Sequence, residues 1–212
     1  MGRGVFITFE GPDGSGKSTQ IDLLYLFLTK QDYKTIITRE PGGTSIGEQI
    51  RNIILNVGNN EMDHMTEALL YAAARSQLTA QVIRPNLDAG NIVICDRFLD
   101  SSTVYQGYAR GLGNKVDQIN KFTVIDLTPD ITFLLKISPE ESAARRRSRD
   151  KDRIEMQHLA YHSKVYEGYL LLEEQYPHRI KSIDGTGSVD VIHQTITKQV
   201  LELLNRRLYP LP

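Results

Sequence analysis

Tryptophan is absent from the 212-residue chain, and cysteine occurs once, as Cys95. A single thiol cannot close an internal disulfide, so stability has to come from a buried core, which a chain of this length can supply. The same scarcity fits a reducing, cytoplasmic setting. Neither sign of charge is in excess: 25 Lys and Arg stand against 26 Asp and Glu. That balance gives no global reason to expect nucleic acid or an anionic membrane as partner. No apolar run approaches the roughly 18 residues of a membrane span, and the short one after Met1 leads into a glycine loop without the cleavage pattern of a signal peptide. Internal repeats, low-complexity tracts and Pro/Gly/Ser-rich linkers are missing as well. The expectation is one cytoplasmic domain over residues 1–212.

What is present is an alternation. Five short apolar runs, Val5–Phe9, Thr35–Thr38, Ile92–Cys95, Ile131–Ile137 and Ile180–Ile183, are rich in β-branched or aromatic residues and read as buried strands. Helical patterns lie between them. Ile21, Leu24, Tyr25 and Leu28 recur at helical spacing within 18–30. Ser45 with Glu48 reads as a capping box opening a helix to Leu55. Ser138-Pro139-Glu140-Glu141 opens another, 66–87 and 157–175 give two long ones, and Ser188 caps the last, to about Leu208. Strands alternating with helices imply an α/β fold, a five-stranded parallel sheet flanked by helices on both faces. Ligands of such sheets bind beyond the carboxyl ends of the strands.

The informative residues fall there. Gly11-Pro12-Asp13-Gly14-Ser15-Gly16-Lys17-Ser18 follows the first strand and matches G-x-x-x-x-G-K-[ST] in full. Glycines let backbone N–H groups turn toward phosphate oxygens, and the helix that follows adds its positive end. Lys17 is then expected at the β- and γ-phosphates and Ser18 on Mg²⁺. A second element fits the loop: Asp96, closing an apolar strand, has the form of a Walker-B carboxylate that helps hold the metal. Cys95 beside it reads as a small buried hydrophobe, not a nucleophile. His158 and His162 stand at i, i+4, but Leu159 and the want of a third ligand argue against a zinc site. A P-loop alone is shared by switches, motors, transporters and kinases. Arg97 adds a cation at the sheet edge. Residues 145–155, RRRSRDKDRIE, read either as a solvated helix end or as a lid carrying arginines over the phosphates.

Five ordered motifs narrow the choice. They are Phe9–Thr19; Thr38-Arg39-Glu40-Pro41-Gly42-Gly43-Thr44 with Ile46-Gly47-Glu48 and Ile50-Arg51; Tyr71-Ala72-Ala73-Ala74-Arg75; Asp96-Arg97-Phe98 with Ser101-Ser102 and Tyr105-Gln106-Gly107; and Asp152-Arg153-Ile154-Glu155. Together they resemble a bacterial thymidylate kinase. The resemblance implies a P-loop kinase fold with a lid at about 145–155, ATP with Mg²⁺ as donor, dTMP as acceptor, and a homodimer. It implies that residues 11–19, including Thr19, hold ATP, with Asp13 also near the acceptor sugar or the metal shell. Tyr71 stacks on thymine and Arg75 meets its carbonyl. Ser102 and Gln106 complete the base pocket, Ser101 is a further substrate-binding residue, and Tyr105 stands where a ribose 2′-hydroxyl would project. Arg39, Arg51 and Arg97 surround the acceptor phosphate beside Glu40 and Pro41. Gly14 in the loop is similar to the form whose catalytic arginine sits in the lid. Arg149 and Arg153 are the candidates, and Arg153 is expected at the γ-phosphate. Another nucleotide kinase of this fold, or a nucleotide-dependent switch, remains the alternative.

Overall fold

The computed structural model describes residues 3–124, 126–145 and 152–208. Five parallel strands, β1 (Val5–Glu10), β2 (Thr35–Arg39), β3 (Ile92–Asp96), β4 (Ile131–Lys136) and β5 (Ile180–Asp184), form one sheet in the order β2-β3-β1-β4-β5. All five expected strands are present; four end one residue later than expected, on Glu10, Arg39, Asp96 and Asp184, which brings those charges to the sheet edge, and β4 ends one residue earlier, on Lys136. β2 and β5 are not fully buried, contrary to the expectation, because they are the two outer strands and Ile37 on β2 is exposed.

Alternation along β1 distributes its side chains to two cores. Val5, Ile7 and Phe9 pack with Leu24 and Leu28 of α1 (Lys17–Thr29) and with Ile196 and Val200 of α9 (Val189–Leu208). Phe6 points the other way, against Phe98, Leu78 and Leu87. That second face is covered by α3 (His64–Leu78), a five-residue π segment (Thr79–Ile83) and α4 (Arg84–Asp88). The expected 66–87 helix thus starts two residues earlier, because Asp63 caps it through Oδ1 to the N–H groups of Met65 and Thr66. Its widening coincides with Pro85, which has no N–H to offer the turn before it.

α2 (Ser45–Leu55) begins one residue before the expected Ile46 and has a different cap. Thr44 is extended and its hydroxyl accepts from Gly47 N–H at 2.9 Å, while Ser45 is already helical. Glu48 reaches back to Gly43 N–H and to Arg39, closing the 40–44 loop. The expected Ser45–Glu48 box is therefore shifted one residue toward the N-terminus. α5 (Leu99–Ser102) continues into a π segment (Thr103–Ala109), followed by α6 (Asn114–Val124). α7 (Pro139–Arg145) and α8 (Leu159–Gln175) complete the layer over β4 and β5, with Ser138 Oγ accepting from Glu141 N–H. Among the described residues no helix is long and apolar enough to cross a membrane.

Candidate active site

Every strand of a parallel sheet points its carboxyl end the same way, so β1, β2 and β3 deliver Gly11, Glu40 and Arg97 to one edge. The ladder continues past the strands: Arg97 N–H donates to Phe9 O and Glu40 N–H to Asp96 O. Gly11 has φ 129°, and a Cβ there would stand 2.3 Å from Leu135 O, so the loop can leave β1 at this point only as glycine. Arg97 also has positive φ, 67°. For a residue with a bulky side chain this is a strained backbone, and it turns the guanidinium into the cleft.

Two adjoining cavities lie above this edge. The first is the phosphate loop. Gly14, Gly16, Lys17, Ser18, Thr19 and Arg145 line it. Lys17 is buried, its ammonium donating to Gly11 O and Pro12 O at 3.1 and 3.0 Å. Burial and the nearby Arg97 charge hold its pKa below the ordinary lysine value, against the pull of Asp13. A polyanion here would gain a cation already stripped of water. Asp96 faces the same cavity with a buried, unpartnered Oδ1. An acceptor-only oxygen left without a donor, in the cavity that Ser18 also lines, is what a hard cation such as Mg²⁺ would satisfy.

The second cavity is lined by Tyr71, Arg75, Ser101, Ser102, Tyr105 and Gln106, with Phe98, Leu55, Ile154 and Pro41 supplying apolar lining. Asp13, Glu40, Arg51 and Arg97 line both cavities. Arg97 donates to Asp13 at 2.7 Å and to Ser101 Oγ and Tyr169 OH at 3.1 and 3.0 Å, and its guanidinium lies 5.2 Å from the Tyr105 ring centroid. Arg51 is anchored on Pro41 O and Arg39 on Glu48. A continuous cleft therefore runs from phosphate loop to aromatic pocket, with cations at its waist.

The thymidylate kinase family model matches residues 9–196. The chain belongs to the thymidylate kinase family. It is 50% identical over 204 residues to a thymidylate kinase of Symbiobacterium thermophilum, covering 96% of this chain and 95% of that one. A thymidylate kinase of Exiguobacterium sp. is 47% identical over 207 residues, covering 96% and 97%. The crystal structure of thymidylate kinase from Ehrlichia chaffeensis superposes with a TM-score of 0.76 at 34% identity, covering 93% of this chain and 99% of that one.

Within this thymidylate kinase, one expected site residue is displaced. Arg153 lines neither cavity. Its Nε donates to Ile54 O and its Nη2 to Glu67, both at 2.7 Å, and the side chain is almost fully buried. The expectation that it reaches the γ-phosphate is corrected: a buried guanidinium paired with a buried carboxylate is costly to withdraw. Arg149 lies outside the described residues, as does most of the expected lid. Arg145, at the lid's start, instead donates to Gly14 O and Gly185 O at the loop wall.

Four contributors went unassigned in the sequence. Glu10 is fully buried and accepts from Phe98 N–H, Ser101 and Tyr169 OH. Burial and the neighbouring Asp100 push its carboxyl pKa up, partly offset by Arg97. Tyr169 and Asn120 arrive from α8 and α6, far along the chain. Glu67 precedes Tyr71 and Arg75 at four-residue steps, so the one helix face that carries the pocket could have pointed to it. Arg75 is held on three sides, its Nε donating to Glu40 at 2.8 Å, Nη1 to Asn120 and Nη2 to Ser102, each at 2.6 Å. Cys95 is buried, its thiol pKa pushed well up by burial and by Glu40 and Asp96, as suits an inert core residue.

Glu40 makes the pocket sensitive to pH. Burial pushes its carboxyl from 4.5 to about 7, against the charge and hydrogen bond of Arg75. The folded chain then holds this proton more tightly than the unfolded one. Glu40's contribution is fully present below pH 4.5 and lost as the pH rises through 7. Urea unfolding of the wild type and E40Q at pH 5.5 and 8 should show the wild type losing about 2 kcal/mol relative to the variant. A difference that stays constant across that range contradicts the assignment.

Proposed function

We propose that this protein transfers the γ-phosphoryl group of ATP to the 5′-phosphate of dTMP, giving ADP and dTDP. The observation that carries the reading is the shared waist: Arg51 and Arg97 border both cavities, beside Asp13 and Glu40, so the ends of two bound nucleotides meet at this pair of guanidinium groups. Little covalent chemistry is then required of the protein, and positioning with charge neutralisation suffices. Residues 11–19 cradle the ATP phosphates through backbone N–H groups, with Lys17 on the β- and γ-oxygens. Ser18 and Asp96 would hold Mg²⁺, which when bound neutralises charge developing between the phosphates. Arg97 and Arg51 grip the acceptor phosphate, whose oxygens the planar guanidinium fork meets two at a time; Arg97 also neutralises charge on the transferring group, and Arg39 lines the phosphate-loop cavity beside them. Asp13 orients Arg97 and faces the acceptor sugar. On the donor side Arg145 is supported as the lid-proximal cation by its contacts with Gly14 and Gly185.

In the second cavity Tyr71 stacks on thymine, while Arg75, Ser101, Ser102 and Gln106 read its polar edge. Tyr105, nearly buried under Arg97 and edge-on to Tyr161 and Tyr169, is held too firmly to yield to a ribose 2′-hydroxyl. The chain works as a single domain with a lid at about 145–155, in the cytoplasm, and as a homodimer. Exposed Ile53, Leu69 and Phe122 on α3 and the two helices packed against it, α2 and α6, support a helical dimer face.

A coupled ADP-release assay across dTMP, dUMP, UMP, AMP and thymidine tests the assignment. dTMP should be the fastest acceptor. Faster phosphorylation of AMP or UMP overturns it, and slow hydrolysis indifferent to dTMP points to a switch.

A further inference from the structure

Glu67 is fully buried one helical turn before Tyr71, and both of its oxygens are engaged. Oε1 accepts from Gln106 Nε2 at 2.9 Å and Arg110 Nε at 3.3 Å; Oε2 accepts from Arg110 Nη2 at 3.2 Å and Arg153 Nη2 at 2.7 Å. Burial pushes its carboxyl pKa up, but the Gln106 hydrogen bond, the Arg110 charge and the bonds from both arginines outweigh that and hold it below the ordinary value. A carboxylate without a proton can only accept. The Gln106 side chain therefore has one allowed orientation, with its NH₂ toward Glu67 and its carbonyl oxygen turned away, toward the cavity it lines.

The same cavity has a donor. A guanidinium carries N–H groups beyond those Arg75 spends on Glu40, Asn120 and Ser102, one on each terminal nitrogen. The pocket then offers a fixed donor and a fixed acceptor. An oxo group beside a ring N–H, as on thymine or uracil, matches that pair. A ring bearing an amino group beside an unprotonated nitrogen, as on cytosine, meets it reversed. We propose that Glu67 is a positioning residue that sets base selectivity: by fixing the Gln106 amide it admits 4-oxo pyrimidines and excludes 4-amino pyrimidines. This rests on the reading that the second cavity holds the acceptor base. Arg110 and Arg153 serve the device by keeping Glu67 ionised, which also gives Arg153 a reason to stand where it does.

The test is steady-state kinetics of the wild type and E67Q with dTMP and dCMP at saturating ATP. A glutamine at 67 can offer either its oxygen or its NH₂, so the Gln106 amide is free to turn over. The dTMP to dCMP ratio of kcat/KM should narrow by roughly ten- to a hundredfold, the scale of one mispaired buried polar group, with the loss on dTMP falling mainly on KM. Should E67Q fail to fold, E67Q/R110Q removes a stranded guanidinium with the carboxylate and should show the same narrowing. Activity lost in equal proportion on both acceptors, with the ratio preserved, overturns the proposal while dTMP phosphorylation stands. A wild-type enzyme that ignores dTMP overturns the parent reading, and this one with it.

Discussion

Replacing Arg97 with methionine is expected to lower turnover at saturating ATP and dTMP by about 10³-fold, the scale of losing a preorganised cation at the transferring group. The side chain is held by Asp13, Ser101, Tyr169 and the face of Tyr105. Its geometry is therefore set before any nucleotide arrives, and no reorganisation is needed as charge moves. Methionine keeps much of the apolar stem, so packing against Tyr105 survives, and Glu10 retains Phe98, Ser101 and Tyr169 as donors. The loss should accordingly fall on kcat, with a thermal midpoint close to that of the wild type. A deficit of less than tenfold, or one confined to KM, is incompatible with Arg97 acting on the transferring phosphoryl group.

Replacing Arg75 with alanine should cut kcat/KM for dTMP by about 10³- to 10⁴-fold, the range for deleting a buried polar reader of the substrate, while ATP binding stays near the wild-type value. Calorimetric titration with a non-hydrolysable ATP analogue separates the two effects. The change also strands Glu40, Asn120 and Ser102, so stability should fall by about 3 kcal/mol or more. Thermal denaturation at pH 6 and 8 checks this: the deficit should be smaller at pH 6, where Glu40, whose carboxyl is raised to about 7 even with Arg75 present, takes up a proton and no longer needs a cation. Equal loss of dTMP use and ATP binding would show that Arg75 holds the fold and not the base.

The strand–loop–helix setting of Gly11–Ser18 was legible in full, because β1 and the loop are adjacent in sequence and their physics is local. So was the pairing of Tyr71 with Arg75, which four-residue spacing places on one face of α3. The same spacing carries Glu67, yet an acid on a helix reads as solvated until its burial is known. The cap of α2 was misplaced by one residue because Thr44, Ser45 and Glu48 offer two overlapping patterns, and only backbone dihedrals choose between them.

The sequence by itself determined the sheet, the phosphate loop and the residue types at its carboxyl edge, since each follows from short-range spacing and from the one way parallel strands can point. Only the tertiary structure decided the partners. Asn120 comes from 45 residues beyond Arg75, Tyr169 from 72 beyond Arg97, and Arg153 from 86 beyond Glu67. Desolvation together with the few donors within reach fixes where each charge settles, and for Arg153 that was a buried carboxylate and not the phosphates.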